Sequence, residues 1–386
     1  MTEQNSIQNP TKKKSGSRLF ALDLARLLAM LMMMQGHTID ALVSPQWIDL
    51  NVYPGNIWQF FRGLTAPIFL IVSGTVHVFA MKRDESGAMS EETRKRRMRW
   101  AWIILLWGYM LVFPANRLID LPTVAAETWY YVFQVNILQL TAVTLMFIVW
   151  LSTKTYSVKS LGIRSAFIAA GIFIASPAIH LVDWFEFLPG FIGGFISYKH
   201  GSLFPLFPTS GFMFLGVAFG SYLYTIGSER REKFLKQWIF VVALAAIGGG
   251  IAFYHATDWI ATTMEYYNPG SMIMRTGIIL SFIGICAHLH RFVKRFENLL
   301  VFFSSKSLHI YILHLILLYG TPWFPSIGRI FMHEITIPIG IVAAALVVLT
   351  TTSLIRLETF VRQQFYYAYV TIKYTLAAML AYALIV

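Results

Sequence analysis

Apolar runs long enough to cross a membrane recur along almost the whole chain, separated by short clusters of polar and charged residues. A crossing helix needs roughly 20 mostly apolar residues. On that ruler the runs predict spans near 19–43, 57–81, 100–114, 131–152, 162–182, 207–227, 238–255, 271–290, 298–319 and 336–357. The piece from Phe365 to Val386 carries Tyr366, Tyr367, Tyr369, Lys373 and Tyr374 before a short apolar end, which suits either an interfacial helix or an eleventh span. The expected fold is an all-α polytopic membrane bundle of 10 to 11 transmembrane helices. The polar stretch 1–17 predicts a disordered cytoplasmic tail, and 18–386 a single transmembrane domain. The run from Leu19 is long and lacks a small-residue cleavage site, so it reads as a retained first span rather than a signal peptide.

Of the 386 residues, 56% are hydrophobic and 13% charged, against roughly 25% charged in an ordinary soluble domain. That excludes a water-soluble globular protein and leaves the function to be built within the bilayer. A net charge of +12 would suggest nucleic acid in a soluble protein, but position decides otherwise. Basic residues collect in alternate loops: Lys12, Lys13, Lys14 and Arg18; Lys82, Arg83 and the run Arg94 to Arg99; Lys154, Lys159 and Arg164; Arg230, Arg231, Lys233 and Lys236; Arg291, Lys294 and Arg295; Arg356 and Arg362. The intervening loops hold Arg117, Lys199 and Arg329, together with acids such as Asp49, Asp120, Asp183, Glu186, Asp258 and Glu265. This is the positive-inside pattern and predicts a cytoplasmic N-terminus. Topology and anionic lipid account for the excess charge, and no nucleic-acid partner is expected. The single cysteine, Cys286, cannot form an internal disulfide. No His, Cys or acid cluster has metal-ligand spacing, so no metal is expected.

One loop stands apart. Trp184 to Pro208 (WFEFLPGFIGGFISYKHGSLFPLFP) is too aromatic for a solvated linker and too broken by Pro and Gly for a continuous helix. Irregular backbone at membrane depth survives only where protein or a water-filled cavity satisfies its polar groups. The loop is therefore expected either as a lid over a site or as a packed interfacial segment.

Most of the chemistry sits in the first span, RLFALDLARLLAMLMMMQGHTIDAL. Asp23, Arg26, His37 and Asp40 are ionisable groups inside it, and placing Asp or Arg at a span's centre costs roughly 2.5 to 3.5 kcal/mol. From Arg26 to His37 is 11 residues, so the two fall within roughly 20° on the helix and about 16 Å apart along it. Asp23 with Arg26, and His37 with Asp40, are i, i+3 neighbours. The inner pair looks structural, with Asp23 neutralising Arg26. The outer pair looks catalytic, with Asp40 fixing the His37 imidazole for proton transfer. A buried His and an interfacial Asp that only satisfy neighbouring groups are the alternative.

The segment LDLARLLAMLMMMQGHTID, with ten residues between Arg26 and His37, resembles the first-helix motif of the integral-membrane acyltransferase superfamily. That superfamily includes the acyltransferase-3 type O-acyltransferases and the heparan-alpha-glucosaminide N-acetyltransferase catalytic domain with its bacterial relatives. LTAPIFLIVSGTVHVFAMKR in the second span is similar to the superfamily's Pro-x-Phe-then-Ser-Gly segment. Asn136 to Phe147, Ser202 to Gly220, Asn268 to Leu280 and Ser307 to Gly320 look closest to the heparan-alpha-glucosaminide N-acetyltransferase-like branch. The resemblance implies transfer of an acyl group, usually acetyl, from cytosolic acyl-CoA to a hydroxyl or amine of a glycan or glycolipid at the extracytoplasmic face of the plasma (inner) membrane. His37 would match the essential histidine, as catalytic base or acyl carrier, and Arg26 the motif arginine.

Several further groups follow from spacing. Arg94 with Arg97, and Arg96 with Arg99, each lie one turn apart at the mouth of the third span. Guanidinium forks suit the phosphates of CoA, and the superfamily shows a similar Arg-x-x-Arg; simple positive-inside topology explains the same residues. Arg62 and Arg275 sit away from the basic face and suit an anionic acceptor or oxyanion, or snorkelling to headgroups. Asn136 and Gln139 share a face, as do Ser307, Tyr311 and His314, and each stripe suits either the cavity or interhelical hydrogen bonding. A multi-span transporter or flippase with a proton relay in the first helix is the rival to the acyltransferase reading, and the sequence leaves open whether copies form a homo-oligomer.

Overall fold

A computed structural model describes residues 19–257 and 267–385. The tail 1–17 and residues Arg18, Asp258 and Glu265 lie outside the described residues. Among those described, the elements are helices, short turns and isolated bridges, with no strand.

The chain opens with α1 (Phe20–Leu42). Next, α2 (Gly55–Arg62) and α3 (Thr65–Phe79) together make a 25-residue crossing interrupted at Gly63. Because α3 begins at Thr65, Pro67 occupies its first turn, where a missing N–H costs nothing. Expected at 100–114, the third span is instead α4 (Glu91–Met110): the Ser90 hydroxyl caps the Thr93 N–H, and Glu91 and Glu92 favour the positive end of the dipole, so the helix starts inside the basic run. Two apolar pieces, α5 (Ala126–Phe133) and α6 (Ile137–Thr153), meet at a bend of 54°. They are followed by α7 (Val158–Leu181), the short α8 (Gly190–Ile196), α9 (Leu206–Thr225), α10 (Gly227–Lys233) and α11 (Ile239–Thr257). The last third holds α12 (Pro269–Val293), α13 (Glu297–Ser305), α14 (Ser307–Tyr319), α15 (Gly328–Phe331), α16 (Ile337–Gln364) and α17 (Tyr366–Ile385).

Each segment read as a span overlaps at least one helix, with breaks at 63–64 and 134–136 and an earlier end for the third. Among the described residues seven helical stretches are long and apolar enough to cross a membrane, eight if the bent α5–α6 pair counts as one, against the ten or eleven expected. α1 and the first half of α4 carry ionisable groups, and α14 has 13 residues. α1 is nevertheless the hub: it packs against α3, α12, α13, α14 and α16. Its Leu22, Ala25 and Ala29 enter the main core, and Met30, Met34 and Leu42 a second one with Phe303, Leu318 and Val347. Outward faces stay apolar, as with Leu346, Leu349 and Leu357 of α16 and Leu376 and Met379 of α17, which suits lipid contact.

Where α3 crosses α9 the backbones nearly touch. A methyl at Gly74 would strike the Met213 carbonyl, one at Gly216 the Ile71 carbonyl, and Thr75 Oγ1 donates to the Gly216 carbonyl at 3.0 Å. Small residues let helices approach this way where no hydrophobic effect drives them together.

The break between α5 and α6 exposes main-chain groups that the Trp184–Pro208 segment satisfies. The Val135 N–H donates to Ser202 Oγ at 3.0 Å, and the Val135 carbonyl accepts from the Phe204 N–H at 2.9 Å. Gly201, at φ +88°, turns the chain back toward the break, a conformation that glycine alone adopts cheaply. An irregular segment at this depth is tolerated because protein supplies its partners.

Candidate functional site

A cavity of about 520 Å³ lies among α1, α2, α3, α4, α6, α9 and α14. Its wall on α1 is Arg26, Ala29, Met30, Met33 and His37, one helical face at three- and four-residue steps. Its wall on α3 includes Thr65, Phe69, Ser73 and His77, spaced four apart. Eleven residues on α1 and twelve on α3 give the cavity a length of about 16 to 18 Å. Leu203 and Phe204, from the segment that patches the α5–α6 break, close part of it. Arg26 and His37 line the same space at opposite ends, as their spacing requires.

At the His37 end, Asp40 is not the group that meets the imidazole. Its carboxylate binds the Arg62 guanidinium, which lies across Gly36 and over the Trp58 ring at 5.3 Å. The expectation that Asp40 fixes His37 is corrected accordingly: α2 brings in a cation the i, i+3 argument could not see, and the carboxylate goes to it. The His37 ring packs instead at 5.5 Å from His314 and 6.2 Å from Tyr319, whose hydroxyl donates to the His37 carbonyl at 3.3 Å. His314 Nδ1 donates to the Ile310 carbonyl at 2.9 Å, which leaves Nε2 as a buried lone pair with no partner among the described residues. His333 Nε2 donates to the Asp40 carbonyl at 3.0 Å and ties the end of α1 to the loop before α16.

At the other end, Asp23 accepts from Ser304 Oγ of α13 at 2.5 Å, while the Arg26 guanidinium sits over the Phe69 ring at 5.8 Å. Arg97 of α4 and His77 of α3 line the cavity here. His77 is 2% exposed and was not singled out from the sequence. Its signal was available in the four-residue stripe from Thr65 through Phe69 and Ser73, hidden by the apolar residues around it.

The remaining expected residues separate. Among the four arginines before the third span, Arg97 faces the cavity, Arg94 is bonded to Glu91 at 2.5 and 2.6 Å, and Arg96 and Arg99 are exposed. Their spacing as two i, i+3 pairs did not show which side of the helix meets the bundle. Arg62, Asn136, Ser307 and Tyr311 line the cavity. Asn136 precedes α6 and its side chain makes no cap bond, leaving it available to the space. Gln139 is buried and donates from Nε2 to the Gly108 carbonyl at 3.1 Å, so it joins α6 to α4. Arg275 is buried beside Gly63 and over the Phe60 ring at 5.8 Å, behind the cavity wall. His314 stands behind His37 and meets Tyr311 edge-on at 5.5 Å. Among the described residues no three His, Cys, Asp or Glu side chains form a metal-binding cluster.

The structure is a polytopic helical bundle with a long internal cavity, lined by Arg26, Arg97 and His77 at one end and by His37 and Arg62 at the other. Residues 18–256 match the model of the family described as heparan-alpha-glucosaminide N-acetyltransferase, catalytic, and the chain belongs to that family. It is thereby a multi-pass membrane protein of an acetyltransferase family whose members use acetyl-CoA as donor. A search of curated proteins found no match.

Proposed function

We propose that the protein moves an acetyl group from cytosolic acetyl-CoA to a hydroxyl or amine of a glycan or glycolipid at the extracytoplasmic face of the plasma membrane. The observation that carries the reading is that Arg26 and His37 line one cavity from end to end. In this reading ten or eleven crossings place the N-terminus and the Arg26 end at the cytoplasm. The donor's nucleotide stays at that end and its arm runs along α1, so the thioester reaches His37.

There the acceptor's O–H or N–H gives its proton to His37 as its oxygen or nitrogen attacks the thioester carbonyl. The carbon–sulfur bond breaks, and the CoA thiolate leaves with the proton that His37 took from the acceptor. His314 and Tyr319 hold the imidazole in place from behind. Arg62, anchored by Asp40, lies within the same wall and supplies positive charge near the oxyanion that forms on the carbonyl. Asn136, Ser307 and Tyr311 offer hydrogen bonds to the arm or the acceptor. Acylation of His37 itself, followed by transfer, uses the same groups.

The test is release of free CoA thiol by detergent-purified protein given acetyl-CoA with glucosamine as an amine acceptor or N-acetylglucosamine as a hydroxyl acceptor. Release that depends on an acceptor and on His37 supports the reading. Acceptor-dependent release that survives His37→Ala contradicts it.

A further inference from the structure

His77 stands out among the described polar groups because both of its ring nitrogens are buried and unmet. It is 2% exposed, lines the cavity, and neither of its ring nitrogens has a hydrogen-bond partner among the described residues. A neutral imidazole carries one donor and one acceptor, and leaving such groups buried and unmet is costly. Arg97 lines the same end of the cavity, and its Nε is likewise buried and without a hydrogen-bond partner. Arg26 approaches from α1. Two cations and a hydrogen-bonding imidazole therefore converge on one space and ask for a compact anion with several acceptor oxygens.

Length says which anion. In an acyl-CoA the thioester sulfur is joined to the first phosphorus by about thirteen bonds, roughly 15 Å at the 3.3–3.6 Å that an extended chain gains per three bonds. The distance from His37 to Arg26 along α1 is about 16 Å, and from Thr65 to His77 along α3 about 18 Å. A thioester at His37 thus puts the phosphate at the end of the pantetheine arm beside His77, Arg97 and Arg26. The 3′-phosphate and adenine lie one more phosphate and a ribose further on, past this cluster.

Resting on the acetyl-CoA reading above, we infer that His77, with Arg97 and Arg26, forms a binding site for the arm's own phosphate, so that the cavity measures the donor from thioester to first phosphate. His77 donates one ring N–H to a phosphate oxygen. It acts as a binding residue and takes no part in the transfer.

The experiment is isothermal titration of the detergent-purified full chain with acetyl-CoA, S-acetyl-4′-phosphopantetheine and S-acetylpantetheine, for wild type, His77→Gln and His77→Phe. Thermal unfolding of each variant reports on folding. The expected result is that wild type binds the phosphorylated arm about tenfold or more tightly than the unphosphorylated one. That preference largely disappears in His77→Phe and is partly kept in His77→Gln, while S-acetylpantetheine binds all three alike. If the two arms lose affinity equally on substitution, or wild type does not distinguish them, His77 only packs or holds water and the inference is overturned while donor binding stands. If acetyl-CoA does not bind the folded wild type, the donor reading fails with it.

Discussion

Asp40 and Arg62 form an ion pair between α1 and α2 beside His37, and neither side chain is fully buried. The pair pins a cation of the second span to the last turn of the first. Its consequence is that Asp40 acts on the site through Arg62.

Asp40→Asn should therefore lower acetyl transfer about tenfold by loosening Arg62, and adding Asp40→Asn to Arg62→Gln should cost little more. Thiol release by wild type, the two single variants and the double variant checks this. Fully additive losses would show that Asp40 acts on the site without Arg62.

His37→Gln should remove acceptor-dependent transfer by at least about a hundredfold, the scale of general-base catalysis. Acetyl-CoA affinity should stay within about twofold, because the donor's charge is held at the far end. Thiol release and titration on the same preparation separate the two effects.

Arg97→Ala should weaken acetyl-CoA binding about tenfold, and less so at high salt, where the wild-type attraction is already screened. The double variant Arg96→Ala, Arg99→Ala should bind within about twofold of wild type, since both side chains are exposed while Arg97 lines the cavity. Titration at low and high salt decides between one arginine and a diffuse basic ledge.

Gly74→Val should lower the thermal unfolding midpoint sharply, because its side chain would enter the α9 backbone; overpacking costs about 1 to 3 kcal/mol even where neighbours can move. Gly171→Ala is the control, since a methyl there meets nothing within 4 Å. Replacing a helical glycine at that site should be neutral or stabilising by about 0.5 to 1 kcal/mol.

The helices were legible in the sequence because a bilayer imposes one length and one polarity on whatever crosses it. The Arg26–His37 face was legible for a related reason: within one helix, spacing is geometry. What spacing cannot supply is the partner on another helix. Asp40 looked like the orienter of His37 because Arg62 is 22 residues away in sequence and next to it in space. Gln139 looked as suited to the cavity as Asn136, yet it faces Gly108 of α4. In the sequence His77 is legible only as the fourth member of the Thr65, Phe69 and Ser73 stripe, and it gains meaning once α4 places Arg97 at the same end of the cavity. The α5–α6 break is hidden in the sequence because Gln134 and Asn136 are isolated polar residues in a long apolar run; the bonds from Ser202 and Phe204 explain how the backbone opens there.

The most direct measurement is isothermal titration of the detergent-purified protein with acetyl-CoA, wild type beside Arg26→Ala. The account predicts micromolar binding that Arg26→Ala weakens about tenfold or more. Binding that is indifferent to Arg26, or no binding by protein shown to be folded, would contradict a donor lying along α1 and favour a proton-relay transporter in its place.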